Sequence, residues 1–145
     1  MQTIKTMIDI GATPEIVWRV LTDFSSYPRW NPFLRAVWGS PMQGQRLKVR
    51  VRMPQSRAYV FTARVVKALP AAEFCWQTKM WIKGLFDGEH AFIIVPNGVE
   101  GVKFIQRKHF SGLLLPLIFP FIQKKTLAAF ELMNSALKKI AEAKR

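Results

Sequence analysis

The last quarter of the chain, residues 112–145, most strongly constrains what this sequence can fold into. It begins as a run of large apolar residues interrupted by Pro116 and Pro120, and it then continues without another proline or glycine. Apolar residues recur in this second part at intervals of three and four: Phe130, Met133, Leu137 and Ile140. The spacing predicts an amphipathic helix, roughly 45 Å long if it begins at Pro116. A helix of that length needs a broad apolar surface to cover.

The preceding residues supply that surface as β-strands. Residues 2–10 alternate between apolar and polar, and alternating segments return from about residue 34, the last two joined by the hairpin sequence NGVEG at 97–101. Between these regions, Thr13 and Pro14 are typical of a helix start, and a second short helix is predicted at residues 25–30. We therefore predict one strand, two short helices, about six antiparallel strands and a long helix covering the apolar side of the sheet.

Three segments then resemble a known family. They are ATPEIVWRVLTDFSSYPRWNPF (12–33), LFDGEHAF (85–92) and FSGLLLPLIFPFIQKKTLAAFELMNSALKKIAE (110–142). Together they resemble bacterial proteins of the START/SRPBCC superfamily, of the polyketide cyclase/dehydrase-like type. The resemblance extends over the chain and implies a single domain at 1–145 with the α+β helix-grip fold. In that fold a curved antiparallel sheet of about seven strands surrounds a long C-terminal helix, two short helices follow the first strand, and an apolar cavity lies between sheet and helix.

Charge and composition limit the partners. The net charge of +13 favours anionic partners such as an acidic membrane surface, and it also aids solubility. The outward strand positions are basic whereas most aromatic residues point inward, so we do not expect nucleic-acid binding. A single cysteine, Cys75, excludes an internal disulfide, and the sequence shows neither a signal peptide nor the ~20 apolar residues of a membrane span. We predict a basic cytoplasmic protein without cofactor or metal.

Polar residues gather at one place on the apolar face of the predicted sheet. Antiparallel pairing around the hairpin turn predicts these cross-strand pairs: His90 with Lys108, Phe92 with Gln106, and Ile94 with Phe104. The preceding strand is predicted to place Met80 beside His90 and Thr78 beside Phe92. The polar residues predicted on the inner face are Thr6, Thr78, His90, Gln106 and Lys108. They either satisfy one another or line a cavity and fix the polar group of a ligand.

We expect that cavity to bind a small hydrophobic or amphipathic ligand, such as a lipid, an isoprenoid, a quinone or an aromatic polyketide-like molecule. The predicted ligand-binding residues are Trp30, Phe33, Val49, Val51, Tyr59, Phe61, Trp76, Thr78, Met80, Phe86, His90, Phe92, Phe104, Gln106, Lys108, Phe110, Leu114, Phe121 and Phe130.

Two other functions stay open. The family resemblance implies that a cyclase or dehydratase activity could use His90 or Lys108 as acid/base, although no acidic residue is predicted to face inward and orient His90. An adaptor at a membrane surface or on a partner protein is the third alternative, and a homodimer is open.

Residues 112–122 hold more apolar side chains than one helix face can bury, and they leave three interpretations open. They could form a buried helix start under the two short helices, a gate at the cavity mouth opposite a loop at 82–88, or an apolar patch that contacts a membrane or a second copy. Because each proline removes a backbone donor, Pro116 and Pro120 predict a helix that starts late or bends.

Overall fold

The computed structural model of the chain describes residues 1–80 and 84–145, with Met80 described in its backbone alone. The elements, in chain order, are β1 (Gln2–Ile10), α1 (Pro14–Thr22), a 3-10 turn (Phe24–Ser26), α2 (Tyr27–Trp30), β2 (Leu34–Trp38), β3 (Arg46–Val51), β4 (Tyr59–Leu69), β5 (Glu73–Met80), β6 (Phe86–Pro96), β7 (Val102–Ser111) and α3 (Leu115–Ala143). No helix within the described residues is both long enough and apolar enough to span a membrane.

All seven strands form one antiparallel sheet in the order β1-β7-β6-β5-β4-β3-β2. The sheet curls into a half-barrel around α3, so the predicted α+β helix-grip fold is confirmed. Because the first strand pairs with the last, β1 and β7 lie together under α3, while β2 forms the opposite edge. The core lies between the concave face of the sheet and one stripe of α3.

The short helices begin and end where the local sequence predicts. The Thr13 hydroxyl accepts a hydrogen bond from the Ile16 amide at 3.3 Å, which caps α1. Asn31 ends α2 with an extended backbone (φ −87°, ψ 111°), as expected for a residue that precedes a proline. Its side-chain oxygen then accepts hydrogen bonds from the amides of Phe33 and Leu34 at 3.0 and 2.9 Å. These contacts turn the chain into β2.

Helix α3 starts earlier than predicted. It begins at Leu115, one residue before Pro116, and it continues through Pro120 to Ala143 over 29 residues, about 44 Å. Pro116 fits because amides in the first turn of a helix have no intrahelical partner to lose. At the other end, the Glu142 carboxylate accepts a hydrogen bond from the Gly11 amide at 2.8 Å and ties the end of α3 to the end of β1.

Strand registers place the inner polar residues. The predicted pairs across β6 and β7 are confirmed: His90 with Lys108, Phe92 with Gln106, and Ile94 with Phe104. The predicted register of β5 against β6 is wrong by four residues, since His90 lies opposite Trp76 instead of Met80. Thr78 accordingly pairs with Gly88 and not with Phe92. The prediction places 82–88 in a loop. Residues 82 and 83 lie outside the described residues, whereas 86–88 form the start of β6, and this earlier start accompanies the shifted register.

Candidate ligand-binding site

A chain of hydrogen bonds crosses the interior from the sheet to α3 and back. The Gln106 amide nitrogen donates to the Phe130 carbonyl oxygen at 3.2 Å and to the Asn134 side-chain oxygen at 2.8 Å. Because a carbonyl oxygen can only accept, this contact fixes the orientation of the Gln106 amide. Its oxygen therefore accepts from His90 Nε2 at 2.9 Å, and Asn134 in turn donates to the Thr6 hydroxyl at 2.9 Å. The four buried side chains satisfy one another.

His90 is enclosed by aromatic rings and is only 2% exposed. Its ring stacks on Phe92 with a centroid distance of 4.1 Å, and Phe130 of α3 covers it at 4.7 Å. Burial lowers the pKa of His90 well below its usual range, and the nearby charge of Lys108 lowers it further, against the opposing effect of the Gln106 hydrogen bond. His90 is thus a neutral imidazole whose Nε2–H is already used.

Lys108 is the cross-strand neighbour of His90 on the inner face of the sheet, but its surroundings differ from those of His90. Trp76, His90 and Lys108 lie side by side across β5, β6 and β7. The Lys108 stem runs over Gly88, where an added Cβ would lie 2.9 Å from Lys108 Cε, and its Nζ lies 5.1 Å from the centre of the Phe110 ring. Burial lowers the pKa of Lys108 to about 8. Within residues 1–80 and 84–145, no carboxylate forms an ion pair with it.

Several polar side-chain groups are buried without a partner in the described part of the chain. The donors among them are Trp30 Nε1, Asn31 Nδ2, Trp76 Nε1, Arg107 Nε and the Thr126 hydroxyl, and of these Trp76 lies in the row described above. Thr126 lies on the stripe of α3 that faces the sheet, one turn before Phe130. Since buried polar groups are nearly always paired, each of these donors is expected to bond a water molecule or a ligand.

The larger of two described surface clefts opens between α3 and the β2–β3 edge of the sheet. It has a volume of about 370 Å³, and its lining residues are Pro32, Arg35, Arg52, Met53, Pro54, Ala129 and Leu132. Ala129 follows Thr126 by three residues and is its neighbour on the helix surface. The other cleft, about 360 Å³, lies at the opposite end beside Thr13, Ile16 and Glu100. None of the predicted ligand-binding residues lines either cleft.

The structure divides the predicted ligand-binding residues into groups. Buried residues that face the interior are Phe33, Val49, Val51, Trp76, Phe86, His90, Phe92, Phe104, Gln106, Phe110 and Phe130. Partly buried residues are Trp30, Phe61, Thr78, Lys108 and Leu114. Tyr59 is the first residue of β4 and is 44% exposed. The side chain of Met80 lies outside the described residues.

The prediction that Phe121 belongs to the ligand-binding residues is wrong. Its side chain is 81% exposed and faces solvent. Leu115 and Phe119 occupy the inner positions of the first turns of α3. A residue two positions after Phe119 lies about 200° around the helix and therefore faces solvent. Leu113 and Leu117 are exposed as well, so these three residues contradict a fully buried helix start.

Sequence reasoning missed Asn134 and Thr126. Both lie in phase with the apolar stripe of α3, four residues on either side of Phe130. Polar residues on the apolar stripe of a helix were the available signal, because they must pair with polar groups of the sheet or remain open for a ligand.

Cys75 does not extend the site. It lies on the convex face of the sheet yet is buried, and burial together with the Glu89 carboxylate raises its pKa to about 12. It is an inert thiol. Among the described residues, no group of His, Cys, Asp and Glu side chains is arranged to hold a metal ion.

Comparisons with known proteins agree with this architecture. A family model described as polyketide cyclase / dehydrase and lipid transport matches residues 1–142. Among curated protein sequences, none matches this chain. A START superfamily protein from Mycobacterium smegmatis is 21% identical, with a TM-score of 0.77 and 99% of each chain covered.

Two other similar structures carry named activities. The di-domain ARO/CYC protein StfQ of the steffimycin biosynthetic pathway is 14% identical with a TM-score of 0.78, over 98% of this chain and 51% of StfQ. Norcoclaurine synthase from Thalictrum flavum is 16% identical with a TM-score of 0.75, over 99% of this chain and 96% of that one. At such identities the likeness shows a common fold.

Proposed function

Because this chain belongs to the polyketide cyclase/dehydrase and lipid transport family, we propose that it binds a small hydrophobic or amphipathic ligand between the sheet and the first half of α3. The observation that carries the proposal is two of the buried donors without partners, Trp76 Nε1 and the Thr126 hydroxyl. The Lys108 ammonium group lies in the same row of side chains as Trp76. A ligand with acceptor atoms would form the hydrogen bonds that these donors lack within the protein.

These donors indicate the chemistry of the ligand. All three groups donate, so the ligand should present acceptor oxygens such as those of a ketone, a quinone, a phenolate or a carboxylate. An unpaired buried donor costs about 1–3 kcal/mol, and an acceptor recovers that cost on binding. The neighbouring rings of Phe86, Phe110 and Phe119 would hold the apolar body, at roughly 25 cal/mol per Å² of buried surface before the costs of association.

The cleft beside α3 is the natural access route. Its volume of about 370 Å³ falls in the range of small-molecule sites, and its inner wall at Ala129 adjoins Thr126. Arg35 and Arg52 make its mouth positive, which favours ligands with a carboxylate or phenolate.

Two probes of similar shape test the proposal: 2-naphthoate, which carries acceptor oxygens, and naphthalene, which carries none. Binding of each is measured by calorimetry. We expect the wild type to bind 2-naphthoate more tightly, and Thr126→Val to weaken that binding about tenfold without affecting naphthalene. The control Thr62→Val removes an exposed hydroxyl from β4 and should change neither. Equal affinity for the two probes, or an unchanged Thr126→Val variant, would overturn the proposal.

One observation favours catalysis as a second function. With its pKa lowered to about 8, Lys108 holds a fraction of neutral amine near neutral pH, unlike an ordinary lysine. It could remove the α-proton of a bound ketone and return a proton to the same carbon. His90 is less suited, because its Nε2–H is engaged and two rings cover it.

Exchange of the α-hydrogens of 1-tetralone for deuterium, followed by NMR, tests this role. Catalysed exchange should rise as pH increases through about 8 and vanish in Lys108→Met. It should persist in Lys103→Met, a change on the outer face of β7. Exchange at the background rate in the wild type would rule this function out while leaving ligand binding intact.

A further inference from the structure

We propose that the start of α3 docks on an anionic lipid surface through an apolar patch formed by Leu113, Leu117 and Phe121. These side chains are 80%, 70% and 81% exposed. Leu117 and Phe121 are four residues apart and share one face of the helix, with Pro116 and Pro120 exposed beside them. Large apolar side chains grouped at such exposure mark an interaction site, whereas single ones are ordinary.

The patch is held outward by well-defined contacts. The Leu113 and Leu114 amides donate to the carbonyl oxygens of Gly84 and Leu85 at 3.0 and 2.9 Å, which continues the sheet to the start of the helix. Gly112 makes the turn with φ of +122°, and a Cβ there would lie 2.3 Å from the Leu85 oxygen. With the segment fixed and the inner helix positions filled, Leu117 and Phe121 have no place on the protein to bury.

Charge identifies the partner as an anionic membrane. From residue 101 to residue 130 the sequence has no Asp or Glu, while it contains Lys103 and Arg107 on the outer face of β7 and Lys124 and Lys125 on α3. Lys124 follows Phe121 by three residues and lies on the same helix face, exposed. Lysines at such a position are attracted to the anionic head groups of a membrane.

The same charge argues against a second copy of the chain. Two protomers of net charge +13 that met through this patch would bring their Lys124 side chains together, and like charges repel. An anionic bilayer accepts both features, since the apolar side chains enter its interface while the lysines meet the head groups.

Vesicle co-sedimentation tests the proposal with phosphatidylcholine vesicles and with vesicles that also contain phosphatidylglycerol. We expect the wild type to bind the anionic vesicles and to be released by salt. Leu117→Gln/Phe121→Gln should weaken this binding at least about tenfold, because most of the insertable apolar area is lost. Val99→Gln is the matched control, since Val99 is fully exposed on the hairpin between β6 and β7 and stands alone.

Three outcomes would overturn the proposal. They are equal binding by the double variant and the wild type, binding that ignores lipid charge, and light scattering that shows a dimer which the double variant dissociates. Because all substituted side chains are exposed, thermal unfolding of the variants should match the wild type. Binding of 2-naphthoate by the same variants separates the two proposals, since the patch lies outside the ligand site.

Discussion

The two halves of α3 face the same sheet but differ in how their polar groups are paired and their apolar side chains are buried. In the C-terminal half, Asn134 joins Thr6, Gln106 and His90 in a closed chain of hydrogen bonds. In the N-terminal half, the Thr126 hydroxyl has no partner in the described part of the chain. The apolar side chains Leu113, Leu117 and Phe121 of this end face solvent.

The difference separates structure from function along one helix. A satisfied buried network contributes stability and a unique arrangement of the core, and nothing further is needed to complete it. Groups left unpaired or uncovered lower stability unless something else binds them, so they are retained where a ligand or surface completes them. The C-terminal half of α3 therefore contributes stability, and both proposed binding functions involve groups of the N-terminal half.

The largest effect should come from breaking the network at its centre. Gln106→Leu leaves His90 and Asn134 without their partner in a dry interior, so we expect the free energy of unfolding to fall by about 3 kcal/mol, measured with urea. Gln77→Leu is the control, because Gln77 makes one exposed hydrogen bond to Glu89, and it should change stability by less than about 0.5 kcal/mol. Similar losses in both variants would show that the network adds no stability.

A smaller effect should come from the joint between the sheet and α3. Gly112→Ala combines an unfavourable positive φ with a clash against the Leu85 carbonyl, so we expect a loss of about 2–3 kcal/mol of unfolding free energy. Gly98→Ala also has a positive φ, +81°, but has open space around the new methyl group, and should lose only about 1 kcal/mol. Equal losses of unfolding free energy in the two variants would mean that the backbone around Gly112 adapts to the added methyl group and does not hold the apolar patch outward.

The smallest effect, with the opposite sign, is expected at the binding end. Lys108→Met removes a charge from an apolar site, so the unfolding free energy at pH 7 should rise by roughly 1 kcal/mol. The wild type should gain stability between about pH 8 and 10.5, because there the unfolded chain still holds the proton that the folded protein has released. Urea unfolding across this range should show the gain in the wild type and in Lys103→Met but not in Lys108→Met. If Lys108→Met gains the same stability between about pH 8 and 10.5, the gain comes from the titration of another group.

The sequence was sufficient for the fold and for part of the site. Alternation fixed the inner faces, and the 97–101 turn fixed the β6–β7 register, so His90, Lys108 and Gln106 were placed correctly. The connection between β5 and β6 carries no comparably strong turn signal, and the register there was wrong. Carried back nine residues from Phe130, the helix phase puts Phe121 about 180° from the buried stripe, on the exposed side. The sequence-based prediction places Phe121 in the ligand site because Pro116 and Pro120 indicate a late or bent helix start, across which that phase is not carried.

The buried network also has a consequence for how the protein is made. The hydrogen bond between Thr6 and Asn134 joins residues 128 positions apart, and β1 pairs with the last strand of the sheet. The concave face cannot close until most of α3 has left the ribosome, so its aromatic residues stay uncovered through most of synthesis. Such long-range closure is slow and exposed to aggregation. Truncation before residue 134 should therefore yield an aggregating chain that depends on chaperones, and not a smaller folded protein.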